Sequence, residues 1–396
     1  MMDRKTPSTR RTPLVFSDTA MRARPSGIRA AQTERPDMIS FSKGHPDPAL
    51  FETRRLQAVI DGLLSEPGSA GDSLQYSAGA GIDGLCRELC KLMQQRGVDC
   101  DAGNVLITNG SQQGLFLSAL AFADAGRQVV VRQPVYTGAL QVFETLGLET
   151  VEPQAAGDTP ALVYEIPNFH NPTGASLDLD ERNRLVDYAH RTGAILLEDD
   201  PYGLLRFDGQ DLPGLLALDA SRGSIETART LFLGSLSKTV APGLRIGWII
   251  GPRDIISKLT VLKYVQDIQS GTFVQQVAVG VLQNDFAQSV ERAQSVYRGR
   301  RDRLLDALET HFAGRGRWSR PEGGFFVWIK LAGGVNASAL LTKAIEKGVN
   351  FVPGSAFGPP ERFGSYLRLS FSHTGLDDFD RGVLRLAKAY DELAAE

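Results

Sequence analysis

Val105-Leu106-Ile107-Thr108-Asn109-Gly110-Ser111-Gln112-Gln113-Gly114 passes from a short apolar run, through a glycine turn, into the start of a helix. The run predicts a strand, and the apolar positions Leu115, Leu117, Leu120 and Phe122 predict a helix over 111–125. The same unit recurs along the chain. Residues 128–131 read as a strand, 136–146 as a helix, 161–166 as a strand, 179–191 as a helix, and 194–197, 231–233 and 246–250 as strands. Strand and helix alternating in this way predict an α/β fold, with a mostly parallel sheet covered by helices on both faces. Ligands in such sheets sit beyond the carboxyl ends of the strands.

From about residue 285 the texture changes. A long charged helix over 288–312, a strand at 325–329, a helix near 337–347 and strands at 349–352 and 366–370 predict a second, smaller α/β domain over 285–396. Residues 37–52 are expected to join it. The large domain then spans 53–284, and residues 1–36 form an arm. A cleft between the two domains suits a substrate.

A chain of 396 residues that is 42% hydrophobic supports a large core in more than one domain. Its net charge of −3 provides no field for nucleic acid or an anionic membrane surface. No run approaches the roughly 18 apolar residues of a membrane helix, and the N-terminus lacks the apolar core of a secretory signal. The expected location is the cytoplasm. Arg4, Arg10, Arg11, Arg22, Arg24, Arg29 and Arg35 crowd the first 35 residues, but Asp3, Asp18 and Glu34 interrupt them. This pattern predicts an arm that docks on the body or on a partner subunit. Cys86, Cys90 and Cys100 are too few for a disulfide framework and contain no C-x-x-C pair, so Cys86 and Cys90, four apart, read as helix packing. The five histidines show no ligand spacing, and no metal is expected.

The chemistry-bearing segments mostly follow predicted strands. Gly234-Ser235-Leu236-Ser237-Lys238-Thr239, with Arg245 shortly after, sets a lysine among hydroxyls and a guanidinium. Such an amine can form a Schiff base with an aldehyde cofactor while Ser235, Ser237 and Arg245 hold a phosphate on the same molecule, which points to pyridoxal phosphate. A P-loop would need glycine where Ser237 stands. At the head of the 111–125 helix, amides and the Ser111 hydroxyl form an anion cup, the alternative being ordinary helix capping. Glu198-Asp199-Asp200-Pro201-Tyr202 offers a carboxylate that can keep a pyridine nitrogen protonated. The three-residue step to Tyr202 favours Asp199 over Asp200. Asn171, in a turn closed by Pro172, can donate to a ring hydroxylate, and Tyr136 can lie over a flat ring or simply pack in the core. Arg368, alone in an apolar strand, needs an anion, either a substrate carboxylate or a structural partner. Gly79-Ala80-Gly81-Ile82-Asp83-Gly84 matches G-x-G-x-x-G, but the polar stretch before it is no strand, so it reads as a turn into a helix at 85–95.

Together these motifs, in this order, resemble the fold-type I pyridoxal-phosphate enzymes, specifically the class I/II aminotransferases and their 2-aminoadipate, aromatic and branched-chain subgroup. The resemblance runs from about Met21 to the C-terminus. It implies that Lys238 forms the Schiff base, Asp199 partners the pyridine nitrogen, Asn171 and Tyr202 meet the ring hydroxyl, and Tyr136 stacks on the ring. Phosphate would be held by Ser111, Gln112, Ser235, Ser237 and Arg245, with Tyr76 reaching over from the neighbouring subunit of a homodimer. Arg368 would clamp the α-carboxylate of the amino acid, with Asn171 and Gly44 also meeting the substrate. The implied reaction is amino transfer from an L-amino acid to a 2-oxo acid. Elimination, decarboxylation or oxidation on the same scaffold is the alternative. A non-catalytic sensor fused to a winged-helix module would need about 70 residues ahead of the body, and about 35 stand there. The chain departs from the subgroup at Ser42-Lys43-Gly44-His45-Pro46, where a glycine pair and an apolar residue are usual, and at His170, where glutamine is common.

Overall fold

The computed structural model describes residues 14–25, 28, 35–65, 67–284 and 286–396. Arg4, Arg10, Arg11, Arg29, Asp3 and Glu34 lie outside the described residues. Strand β1 (Ile39–Ser40) precedes the large sheet, which is built from β2 (Val105–Thr108), β3 (Gln128–Val131), β4 (Glu149–Val151), β5 (Leu162–Glu165), β6 (Ile195–Asp199), β7 (Thr230–Ser235) and β8 (Gly247–Ile250). Its order is β2-β8-β7-β6-β5-β3-β4. All neighbours are parallel except β8, which runs antiparallel to both β2 and β7.

The two-residue period of the strands sends alternate residues to opposite faces of this sheet. Leu106, Leu231, Leu233 and Ile249 pack on one face, with Leu115 and Leu117 of the helix Ser111–Phe122. Val105, Ile107, Phe232 and Ile250 pack on the other, with Leu85 and Leu89 of the helix Asp83–Gln95. Strands covered on both sides carry apolar residues at nearly every position, and β2, β5, β6, β7 and β8 are buried throughout. The G-x-G-x-x-G segment is a turn, as expected. Gly81 has φ +124°, and a Cβ there would lie 2.2 Å from Ile107.

The second sheet, β12-β13-β10-β9, is antiparallel and consists of β9 (Gly316–Trp318), β10 (Phe326–Leu331), β12 (Val352–Pro353) and β13 (Tyr366–Ser370). The strand expected at 349–352 is two strands in different sheets. Strand β11 (Val349–Asn350) pairs with β1, and the chain crosses at the fully buried Phe351 before β12 joins β13. Ile39 and Phe41 thereby enter the same core as residues of the helix Phe286–His311 and of the C-terminal helix Asp378–Ala394.

The described part of the arm docks on the body. Its helix Asp18–Arg22, capped by Ser17, leads into Arg24. Arg22 Nε donates to the Thr145 carbonyl at 3.2 Å, and Gln141 donates to the Arg24 carbonyl at 2.9 Å, both on the helix Thr137–Leu146. Cys86 is buried in the core, and desolvation pushes its thiol up to about 12. Cys90 is half-buried against the same core. No helix among the described residues is long and apolar enough to cross a membrane.

Candidate active site

Every candidate residue read from the sequence except Tyr76 lines one cavity of about 360 Å³ between the large sheet and the β10–β13 layer. Tyr76 lies elsewhere and is 75% exposed. Asp199 enters at the carboxyl end of β6. Its Oδ2 accepts a hydrogen bond from the Tyr164 hydroxyl at 2.7 Å, while Oδ1 is buried with no partner. Desolvation pushes this carboxyl up to about 7, against the Tyr164 hydrogen bond and the charge of Lys238. Asp200 is spoken for: it pairs with Arg96 and accepts from Asn168 at 3.1 Å.

Lys238 follows β7, its amine donating to the Gly44 carbonyl at 3.0 Å and standing 5.9 Å from the Tyr202 ring centre and 5.8 Å from that of Phe325. No ion pair among the described residues includes it. Desolvation, then the charges of Arg368 and Arg245, lower its pKa to about 8, with Asp199 opposing. Gly44 comes close because it has no side chain: a Cβ would lie 2.9 Å from the Phe326 ring.

Arg368 is 3% exposed in β13. It donates to Asn171 Oδ1 and to the Ser42 carbonyl, each at 2.8 Å, and its guanidinium lies 4.2 Å from the Phe326 ring centre. Its Nε has no partner, and no carboxylate pairs with it among the described residues. The structural ion pair that the sequence left open is therefore not found. Desolvation lowers its pKa to about 10.

At the opposite pole the helix Ser111–Phe122 begins. Gly110, with φ +86°, is its N-cap and no side chain caps it, so Ser111 is not the capping residue and its hydroxyl stays available to the cavity. Gly110 is required twice, since a Cβ there would also sit 2.5 Å from Arg245 Nη2. Arg245 takes a left-handed conformation, φ +53°, and donates to the Asn109 carbonyl at 3.0 Å. Ser235 donates to Ser237 at 2.8 Å. Hydroxyls, first-turn amides and a guanidinium converge there, an arrangement that can hold a phosphate.

Tyr136 lines the cavity while also packing against the core of the large sheet, with Gly138 leaving room for its ring. Gln112 donates to the Gly138 carbonyl at 2.9 Å. Tyr202 is buried edge-on to Phe325 and Phe326. Sequence reasoning missed Tyr164, whose signal was a lone hydroxyl in the apolar 161–166 run, and Phe326, which looked like ordinary core. His45 lines the cavity. His170 does not: it bonds Thr173 at 3.0 Å, and burial lowers its pKa to about 3.

The chain is similar to known proteins over nearly its whole length. The family described as aminotransferase class I and II matches residues 36–385. The chain belongs to that family. A 2-aminoadipate transaminase of Thermus thermophilus is 33% identical over 96% of this aminotransferase and 97% of its own length. An aromatic-amino-acid aminotransferase of Thermococcus litoralis is 32% identical over 95% and 94%. Among solved structures, a kynurenine aminotransferase of Pyrococcus horikoshii superposes with a TM-score of 0.87 at 32% identity, covering 95% of this chain and 97% of that one. The aminotransferase fold is thus that of the fold-type I enzymes.

Proposed function

We propose that the chain moves an amino group from an L-amino acid to a 2-oxo acid in a two-step ping-pong cycle, with pyridoxal 5'-phosphate as cofactor. One observation carries the reading: a lysine amine without a counter-ion, a buried carboxylate oxygen without a partner and a buried guanidinium without an anion share one cavity. Each lacks its complement, which is costly in a desolvated site. An aldehyde, a pyridine nitrogen and a carboxylate complete the three, so the residues fit the cofactor and an amino acid together. Bound there, pyridoxal phosphate supplies an electron sink for the pair released at the amino acid's α-carbon.

Lys238 would hold the cofactor through its amine, and the same amine, once free, is the base that would take and return the substrate's α-proton. In the free protein that amine already has its pKa lowered to about 8, toward the range of a working base. Asp199, steadied by Tyr164, holds the proton on the ring nitrogen; a positive charge there draws its carboxyl back to the ionised form. Arg368, held in place by Asn171 and Ser42, takes the α-carboxylate and so presents the α-proton to Lys238. Tyr136 would cover the ring, Asn171 and Tyr202 would meet its hydroxyl, and Ser111, Gln112, Ser235, Ser237 and Arg245 would hold the phosphate. Phe325, Phe326 and Tyr202 exclude water on the inner side.

We further infer a homodimer in which Tyr76 reaches the partner's phosphate site. Its support is that Leu74, Tyr76, Val261, Tyr264 and Val265 are exposed large apolar side chains, with Gly79, shortly after Tyr76, lying against Tyr264. The domain division at 53–284 and 285–396, with 37–52 joined to the smaller part, and a cytoplasmic location belong to the same proposal. The experiment is a panel of amino acids added to the cofactor-loaded enzyme. Loss of the bound cofactor's visible absorbance, restored by a 2-oxo acid without ammonia release or oxygen uptake, supports amino transfer. Ammonia release or oxygen uptake in place of that restoration refutes it.

A further inference from the structure

The segment 42–45 connects the groups that grip an amino acid. The Ser42 carbonyl supports Arg368, the Gly44 carbonyl supports Lys238, and the next side chain, His45, lines the same cavity. An amino acid held by its carboxylate and its amine therefore presents its own side chain to this segment. The backbone there is pinned. Ser372 donates to the Lys43 and His45 carbonyls at 3.3 and 2.6 Å, and Asp47 pairs with Arg300. A rigid loop places its side chains reproducibly.

The charges of the cavity do not balance. Lys238, Arg245 and Arg368 line it along with His45, and among the described residues Asp199 is its single carboxylate. On the reading proposed above, the phosphate answers Arg245, the ring nitrogen answers Asp199, and the α-carboxylate answers Arg368. Among the described residues of the lining, His45 is then left facing the substrate's side chain with no carboxylate opposite. We propose that His45 is a specificity-determining residue that selects amino acids and 2-oxo acids carrying a second carboxylate at the end of the side chain. The imidazole donates a hydrogen bond to that carboxylate. The surroundings agree with this role: desolvation first, then Lys238, His373, Lys43 and Arg368, lower the pKa of His45, an unfavourable environment that an incoming anion relieves.

The inference rests on the cofactor-dependent reading of the cavity, and its test separates the two. Glutarate and valerate have the same five-carbon length, differ by one carboxylate and lack an amine, so they bind without reacting. Calorimetric titration of the cofactor-loaded enzyme should show glutarate binding at least about 10-fold more tightly than valerate, the contribution of a hydrogen bond to a charged group. His45→Leu should erase that ratio, and His45→Gln, which still donates, should keep part of it. In the half-reaction, His45→Leu should shift the kcat/KM ratio of glutamate to norvaline by about 10–100-fold toward norvaline. Equal binding of the two acids by an enzyme that transfers amino groups overturns this inference alone, as does a ratio unchanged in His45→Leu. Failure of the protein to take up pyridoxal phosphate overturns the underlying reading as well.

Discussion

Replacing Arg368 by methionine isolates the carboxylate grip from the packing around it. In the free protein the guanidinium spends two donors on Asn171 and Ser42, lies over Phe326 and leaves Nε unused. A substrate carboxylate engaging it makes two charge-assisted hydrogen bonds. At about 1.5–3 kcal/mol each, their loss is about 3–6 kcal/mol, or roughly 10²–10⁴-fold in kcat/KM. Methionine retains much of the apolar stem against Phe326 and Phe357. The fold loses two hydrogen bonds but also sheds a desolvated charge whose pKa has fallen to about 10, so these effects oppose each other and the melting temperature should move by only a few degrees. The assay is a rapid-mixing half-reaction across amino-acid concentration, beside equilibrium dialysis of the cofactor. The expected outcome is a collapse of amino-acid affinity with cofactor affinity changed by less than about threefold. Undiminished amino-acid affinity in a well-folded variant would refute the assignment of Arg368 to the carboxylate.

Two predictions concern protons. Asp199 has its carboxyl raised from 3.8 to about 7 in the free protein, so the folded state binds more protons than the unfolded state between those values, and stability falls as pH rises through that window. Asp199→Asn should therefore stabilise the cofactor-free protein at pH 8, by at most about 4 kcal/mol at 1.36 kcal/mol per unit, give little gain at pH 4, and lower amino transfer by at least about 10²-fold. Denaturant melts at the two pH values check the sign, and a variant less stable at pH 8 contradicts it. With Lys238 at about 8, the neutral amine rises from about 10% at pH 7 to about 50% at pH 8 and saturates near pH 9. Cofactor uptake by the free protein should follow that curve, whereas an ordinary lysine gains about tenfold per unit throughout.

The large sheet was legible because its strands are buried on both faces and their apolar runs are bounded by glycine turns. Strand β4 was not, since Glu149 and Thr150 are exposed at the sheet edge and leave no apolar run. The helix Thr53–Ser65 has no fully buried residue, and Arg253–Asp267 buries one face while exposing Val261, Tyr264 and Val265. In Arg253–Asp267 the apolar Val261, Tyr264 and Val265 face solvent, and the period is blurred. In the site, Lys238, Asp199 and Arg368 stood out because each is a charge in an apolar or turn-rich setting. The choice of Asp199 over Asp200 rested on spacing, and the structure adds the reason: Arg96 occupies Asp200. Tyr164 and Phe326 were illegible because a tyrosine or phenylalanine in a strand looks the same whether it faces the core or a cavity.

Reductive trapping tests the central claim most directly. Protein saturated with pyridoxal phosphate is treated with borohydride, digested and mapped by mass spectrometry. The account predicts a single phosphopyridoxyl adduct on the amine of Lys238, lost in Lys238→Ala. An adduct on another lysine, or none on cofactor-saturated protein, contradicts it.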